Sequence, residues 1–269
     1  MSEERAGEPR PSLTIVVPAF NEAGRIGPAL DELFRYLRGE MPARAGGRGA
    51  SELGRWDVLL VDDGSDDGTA DLVEARPEAR AGPDGIRLRV LRRPHEGKGG
   101  AVRAGMLEAS GDLVVFTDAD LATPPDQIPL LTDRLADHDV ALGSRVQPDG
   151  TDRRASQPGY RRLLGRVFHA LAGAWVTGRV PDTQCGFKGF RREVARDLFS
   201  RQRITSIVFD AEVIFLARRR GYRIAVVSVE WSDKRGSRMR VGPAVAARVA
   251  WDLLRIPLIH RRVGPSGRS

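Results

Sequence analysis

Cysteine is almost missing from this 269-residue chain: Cys185 stands alone, so no intrachain disulfide can form and a reducing compartment is the expected setting. Long apolar runs are missing as well. Nowhere do about 18 apolar residues follow one another, the length a membrane-crossing helix needs. The start, MSEERAGEPRPS, lacks the apolar core of a secretory signal. These absences predict a cytoplasmic protein, soluble or associated with the inner face of a membrane. Aromatic residues make up only 6% of the chain, whereas a nucleic-acid surface interleaves aromatics with basic side chains. With its marked motifs acidic, the chain is expected to bind no nucleic acid.

What is present is an ordinary globular composition, 41% apolar, with 43 basic against 36 acidic residues and a net charge of +7. The length suits one large α/β domain, and the charge favours anionic partners such as nucleotides, phosphorylated substrates or acidic lipid. Residues 1–11 are expected to be disordered, 12–240 to form the domain, and 241–269 to add an amphipathic helix and basic tail.

The stretch from Gly97 to Asp126 organises the rest. Leu113 to Thr117 reads as a buried strand that delivers Asp118 and Asp120 to its carboxyl end, two residues apart and therefore to one side. Oxygen ligands alone, with no His or Cys nearby, suit a hard cation such as Mg²⁺ or Mn²⁺ that bridges to a substrate's phosphates. The alternative is that both aspartates are turn formers before the helix that follows Thr123-Pro124-Pro125.

Leu13 to Val17 and Val58 to Val61 are apolar runs with the length and continuity of strands covered on both faces, and Leu88 to Leu91 and Val140 to Leu142 read as further strands. Between them helices are expected from about Glu22 to Arg38, with Asn21 as its N-cap, after Thr69, over Ala101 to Ala109 and over Gln127 to Ala136. Such alternation predicts a mostly parallel, doubly wound sheet flanked by helices, in which ligands sit beyond the carboxyl ends of the strands. The acidic cluster Asp62-Asp63-Gly64-Ser65-Asp66-Asp67 falls there too. Asp62, nearest the strand, is the ligand candidate, and Asp66 or Asp67 can cap the next helix. His95 to Gly100 (HEGKGG) does not fit the Walker pattern. Its glycines and Lys98 form either an anion-facing helix start or a site of close helix–sheet packing.

Further on, residues 40–55 and 147–159 read as mobile surface loops. The helix from Tyr160 to Trp175 carries an apolar stripe that is either core or membrane contact. Val180 to Phe190 reads as a loop before a helix at Arg192 to Phe199. A helix opens at Phe209, and Tyr222 to Val229 is a strand. Lys234 to Arg240 is a solvated turn or an anion clamp. A last helix, Pro243 to Arg255, is expected to end before Pro257, with Arg248, Asp252 and Arg255 on one face, packed on the domain or lying in a membrane interface.

Seven motifs in order, VVPAFNE at 16–22, VDDGSDDGT at 61–69, GKGGAVRAGM at 97–106, TDADLATP at 117–124, GSR at 143–145, DTQCGFKGF at 182–190 and FDAE at 209–212, resemble family 2 glycosyltransferases. Within these the resemblance is to the dolichyl-phosphate β-glucosyltransferase and polyprenyl-phosphate sugar synthase branch. It implies a single-domain GT-A fold, a Rossmann-like mostly parallel sheet over roughly residues 12 to 240, and a metal-dependent hexosyltransferase using Mg²⁺ or Mn²⁺.

Carried over by position, the resemblance implies that Pro18, Ala19, Glu22 and Asp62 hold the nucleoside of a sugar nucleotide, with Lys98 close by. Asp118 meets ribose and metal, Asp120 the metal, Arg145 the phosphates, and Asp182 the acceptor. Gln184 and Arg235 join the substrate-binding set. Ala122 stands where mannose synthases of this branch often have Gln, which leans toward UDP-glucose. The implied acceptor is a polyprenyl phosphate, gripped by arginines such as Arg145, Arg153, Arg154, Arg235 and Arg238. Many relatives carry membrane-spanning helices, so here the helix at 160–175 or 243–255 would have to meet the membrane, or else the acceptor is soluble.

Overall fold

The computed structural model describes residues 11–41, 55–80, 85–147, 176–178, 180–232 and 243–267. Most of the expected loop at 40–55, the helix expected over 160–175, and Arg153, Arg154, Arg235 and Arg238 lie outside the described residues.

Among the described residues seven strands form one sheet: β1 (Leu13–Ala19), β2 (Trp56–Asp62), β3 (Ile86–Arg92), β4 (Leu113–Thr117), β5 (Val140–Ser144), β6 (Phe187–Arg191) and β7 (Ile224–Ser228), in the order β3-β2-β1-β4-β6-β5-β7. β1, β2, β3 and β4 run parallel, and β5 pairs parallel with β7. Only β6 runs against its neighbours β4 and β5. Its start therefore lies at the edge where the other strands end, and Phe187 pairs with Thr117. That reversal brings residues 182–186 to the end of β4.

Alternation along β1 divides the core. Leu13, Ile15 and Val17 pack on one face with helix α1 (Ile26–Leu37), whose Ile26, Leu30, Leu33 and Phe34 recur at helical spacing. Val16 faces the other side with Phe116 and with Ala101, Val102 and Met106 of α4 (Lys98–Glu108), beyond the short α2 (Thr69–Glu74) and α3 (Pro77–Arg80). On that side α4 lies so close that a Cβ at Gly105 would overlap Val16 and stand 2.8 Å from Val61. After α5 (Ile128–Arg134), the chain adds α6 (Arg192–Arg201), α7 (Phe209–Arg220) and α8 (Pro243–Ile259).

Four expectations need correction. The first helix begins at Ile26 rather than Glu22, because Asn21 sits in left-handed backbone (φ 55°) and uses its side chain to accept from the Asp66 N–H instead of capping. Phe187 to Arg191 is a strand, not a loop. Its Lys188 is fully buried against Asp210. The last helix continues through Pro257 to Ile259. Pro257 withholds one N–H, but Ile256 and His260 are buried on either side of it and hold the turn in place. Asp252 does not share an exposed face with Arg248; it is buried, accepting from Ser206 Oγ at 2.7 Å and paired with Arg255 at 2.8 Å.

Candidate active site at the carboxyl edge of the sheet

Pro18, Ala19, Glu22, Lys98, Asp118 and Asp120 line one cavity of about 290 Å³, together with Phe20, Asp63 and His95. Each comes from a strand end or the turn beyond it, which is where a parallel sheet gathers its loops.

Asp118 and Asp120 lie in a tight turn after β4, closed by the Leu121 N–H donating to the Asp118 carbonyl at 3.0 Å. Leu121 has left-handed backbone (φ 47°) although its side chain is buried. Such a conformation costs about 1–3 kcal/mol and persists where the surroundings impose it. Asp120 Oδ1 accepts from the Ala122 N–H at 3.1 Å, and Lys98 Nζ meets Asp118 Oδ1 at 2.6 Å.

Burial, and then the neighbouring Asp118 carboxylate, push the Asp120 carboxyl above its ordinary range. Burial also works against the Lys98 charge, but Asp118, then Asp210, outweigh it and hold that ammonium above its ordinary pKa. Two hard carboxylates on one turn, one of them carrying its charge against burial and its neighbour, fit a divalent cation. Among the described residues no three or more His, Cys, Asp or Glu side chains converge as metal ligands. The pair therefore suits an ion completed by water and substrate oxygens rather than a closed cage.

Glycine at position 186 keeps this pair in place. A Cβ there would overlap the Asp118 carboxylate, and β6 holds the two backbones in register. Gly186→Ala is expected to leave the fold intact, since Asp118 can swing outward, while lowering kcat about 10²-fold, the order a misplacement near 1 Å produces. Steady-state rates beside a thermal melt check this. A full-rate alanine variant would separate Gly186 from the chemistry.

The glycines after His95 serve mainly close packing. A Cβ on Gly99 would stand 2.8 Å from Phe209 Cβ, and the Gly99 N–H already donates to the Thr205 carbonyl at 2.8 Å. Lys98 supplies the cationic character of that loop.

Asp62 is buried and does not line the cavity. One of its oxygens accepts from the Ser65 N–H at 3.3 Å, and Oδ1 has no hydrogen-bond partner among the described residues. Its neighbour Asp63, not Asp62, lines the cavity and organises it. It accepts from the N–H groups of Glu96 and Gly97 at 2.9 Å each and meets His95 Nδ1 at 2.8 Å. That fixes His95, whose ring stacks on Phe20 at 4.2 Å between centroids and 26° between planes. Phe20 is 42% exposed, so the stack offers a flat aromatic surface at the cavity mouth. Glu22 is held by Arg25 in a two-pronged pair at 2.7 Å.

On the other side of β4, Asp182 and Arg145 form a closed pair. The guanidinium donates through Nε at 2.7 Å and Nη2 at 2.8 Å, and the carboxylate also accepts from the N–H groups of Arg145 and Gln184. Asp182 is 2% exposed. Both its oxygens are committed, which leaves it to orient Arg145 rather than to take a proton. Arg145 also lies over Trp231, 5.5 Å from the ring centre. Gln184 Nε2 is buried without a hydrogen-bond partner among the described residues. Arg235 lies outside them.

Beneath the site, Lys188 Nζ meets Asp210 Oδ1 at 2.6 Å and the Cys185 carbonyl at 2.5 Å, 5.4 Å above the Phe116 ring. Cys185 is buried and its thiol is pushed up to about 12, by burial first and then by Asp182. A thiol so protonated is no nucleophile.

The model of glycosyl transferase family 2 matches residues 14–199. A dolichyl-phosphate beta-glucosyltransferase of Trichomonas vaginalis is 36% identical over 257 residues, covering 92% of this chain and 71% of that protein. The human dolichyl-phosphate beta-glucosyltransferase is 32% identical over 241 residues, covering 86% and 70%. Among solved structures, glucosyl-3-phosphoglycerate synthase of Mycobacterium tuberculosis in complex with UDP aligns at a TM-score of 0.61 and 21% identity, over 91% of this chain and 80% of that one. The same enzyme with Mn²⁺, UDP and glucosyl-3-phosphoglycerate gives 0.59 at 19%, over 96% and 82%. At such identities the likeness is one of fold.

Proposed function

This chain belongs to glycosyl transferase family 2, and from that membership we propose that it moves glucose from UDP-glucose to a polyprenyl, dolichyl-type phosphate with inversion, releasing UDP. The observation that carries the acceptor is the closed Asp182–Arg145 pair. A hydroxyl acceptor needs a base to take its proton. A phosphate monoester, with its second pKa near 6, is already largely ionised at neutral pH, and at the acceptor-side position of this site both carboxylate oxygens are spoken for. The relatives named dolichyl-phosphate beta-glucosyltransferases fit the same acceptor.

In this reading a phosphate oxygen of the acceptor attacks the anomeric carbon as the bond to the UDP oxygen breaks, with the electron pair leaving on UDP. One displacement turns an α-linked donor into a β-linked product. A divalent cation held by Asp118 and Asp120 would supply charge stabilisation to the departing diphosphate. Lys98 places an ammonium beside Asp118, where negative charge develops. The Phe20–His95 stack receives the base by its flat face, while Pro18, Ala19 and Glu22 shape the nucleoside side and Asp62, buried behind them, braces the turn through the Ser65 N–H. Arg145, held in plane by Asp182, faces acceptor phosphate, with Gln184 beside it and Arg235 as a further phosphate contact. The buried lone cysteine accords with work at the cytoplasmic face of a membrane.

Donor choice tests this directly. Purified protein with Mn²⁺ or Mg²⁺ should release UDP from UDP-glucose faster than it turns over UDP-GlcNAc or GDP-mannose, and EDTA should abolish release. Preference for GDP-mannose would refute the donor assignment.

A further inference from the structure

The last helix has two faces of opposite character. Leu253 and Ile256, with the partly buried Val249, pack against Val176, Ile204, Val208 and Ala211. The outward face carries Trp251, Leu254 and Leu258, exposed by 64%, 56% and 67%, at the i, i+3, i+7 spacing of one helical stripe. Tryptophan and leucine open to this degree in a single stripe mark an interaction surface rather than scattered exposure.

Charge selects the occupant. Arg248, Arg261 and Arg262 are exposed and Arg255 half-buried, while Asp252 is the single acidic residue of the described segment 243–267 and is buried on Ser206. The stripe is thus rimmed by cations with no exposed carboxylate in that segment. Among the described residues no helix is long and apolar enough to cross a membrane. A helix with one apolar face and arginines beside it lies in a lipid interface instead, where tryptophan sits at headgroup level and cations meet anionic lipid.

The connection to the site is short. Ser206 Oγ donates to Asp252 of α8, and the preceding Thr205 accepts from Gly99, next to Lys98. The N–H groups of Arg203 and Ile204 donate to Glu212 at 2.9 Å each, and Glu212 meets His260, just past α8, at 2.6 Å. Residues 203–206 are therefore bonded to α8 on one side and to the Lys98 loop on the other.

We propose that the outward face of α8, centred on Trp251, Leu254 and Leu258, is the surface on which this protein seats on an anionic bilayer. This deepens the lipid-phosphate reading and draws its purpose from it, yet the seating is measured without turnover. Full-length protein is centrifuged with phosphatidylcholine vesicles with and without phosphatidylglycerol, alongside Trp251→Ser/Leu254→Ser and Arg261→Gln/Arg262→Gln variants. The wild type should sediment with the anionic vesicles. The first variant should lose roughly tenfold or more in partitioning, and the second roughly tenfold with loss of the anionic preference.

Both variants should keep wild-type transfer to a detergent-dispersed short-chain polyprenyl phosphate and lose transfer to acceptor embedded in vesicles. A wild type that binds neither vesicle, or a Trp251→Ser/Leu254→Ser protein that binds as well as wild type, overturns the seating. So does a wild type that uses this face to dimerise and ignores vesicles. Detergent-phase transfer in the same preparation would then leave the acceptor reading standing. Vesicle binding without any transfer would instead keep the seating and defeat that reading.

Discussion

Asp120→Asn should reduce sugar transfer by about 10³-fold, equivalent to roughly 4 kcal/mol of lost charge stabilisation, without weakening the fold. Asparagine keeps the size of the side chain and its bond from the Ala122 N–H, but removes a charge that attracts the divalent cation. The same charge is a burden on the folded protein, since burial and Asp118 raise the Asp120 pKa.

An acid whose folded pKa lies above its unfolded one costs nothing below the unfolded pKa. The cost grows as pH rises toward the folded pKa and persists above it. The variant should therefore match wild type in stability at acid pH and equal or exceed it at neutral pH. Initial rates and thermal melts at both pH values check the pattern. Activity within tenfold of wild type would remove Asp120 from the chemistry, and a large drop in Tm would make its role structural.

Lys188→Met should cost about 3–5 kcal/mol of stability, because it leaves Asp210 buried with its principal countercharge gone. Lys188 is fully buried and the two side chains meet at 2.6 Å. Burial already pushes the Asp210 carboxyl above its ordinary range, and the ammonium of Lys188 is the first influence opposing this. Replacing both, as Lys188→Met/Asp210→Leu, removes the stranded charge and should recover most of the loss. Urea denaturation of the single and double variants decides it. A single-variant loss under about 1 kcal/mol, or a double variant no better than the single, contradicts the account of a compensated pair.

The same pair shows where sequence reading stops. β1, β2 and β4 are legible because strands covered on both faces are continuous apolar runs, and they place Asp118 and Asp120 at the carboxyl edge, whereas the edge strand β3 interleaves arginines with its apolar residues. Phe187 to Arg191 was illegible as a strand because a lysine lies in its middle, and only Asp210, 22 residues on, makes that lysine a core residue. Asp62 and Asp63 look alike in the sequence until the strand's alternation decides which one reaches the cavity. The Phe20–His95 stack joins two distant loops and leaves no periodic trace. Asp182 and Arg145 each stand in a legible motif, but their mutual closure, which bears most on the acceptor, is a tertiary fact.

The most direct test of the central claim compares two acceptors that differ by one phosphate. Labelled UDP-glucose is offered, with Mn²⁺, to a short-chain polyprenyl phosphate and to the matching polyprenol, with phosphoglyceric acid as a soluble competitor. Label carried into the organic phase by the phosphate, and by neither of the others, is the predicted result. Efficient glucosylation of polyprenol or of phosphoglyceric acid would contradict it, because either would require a proton acceptor that Asp182, closed on Arg145, does not provide.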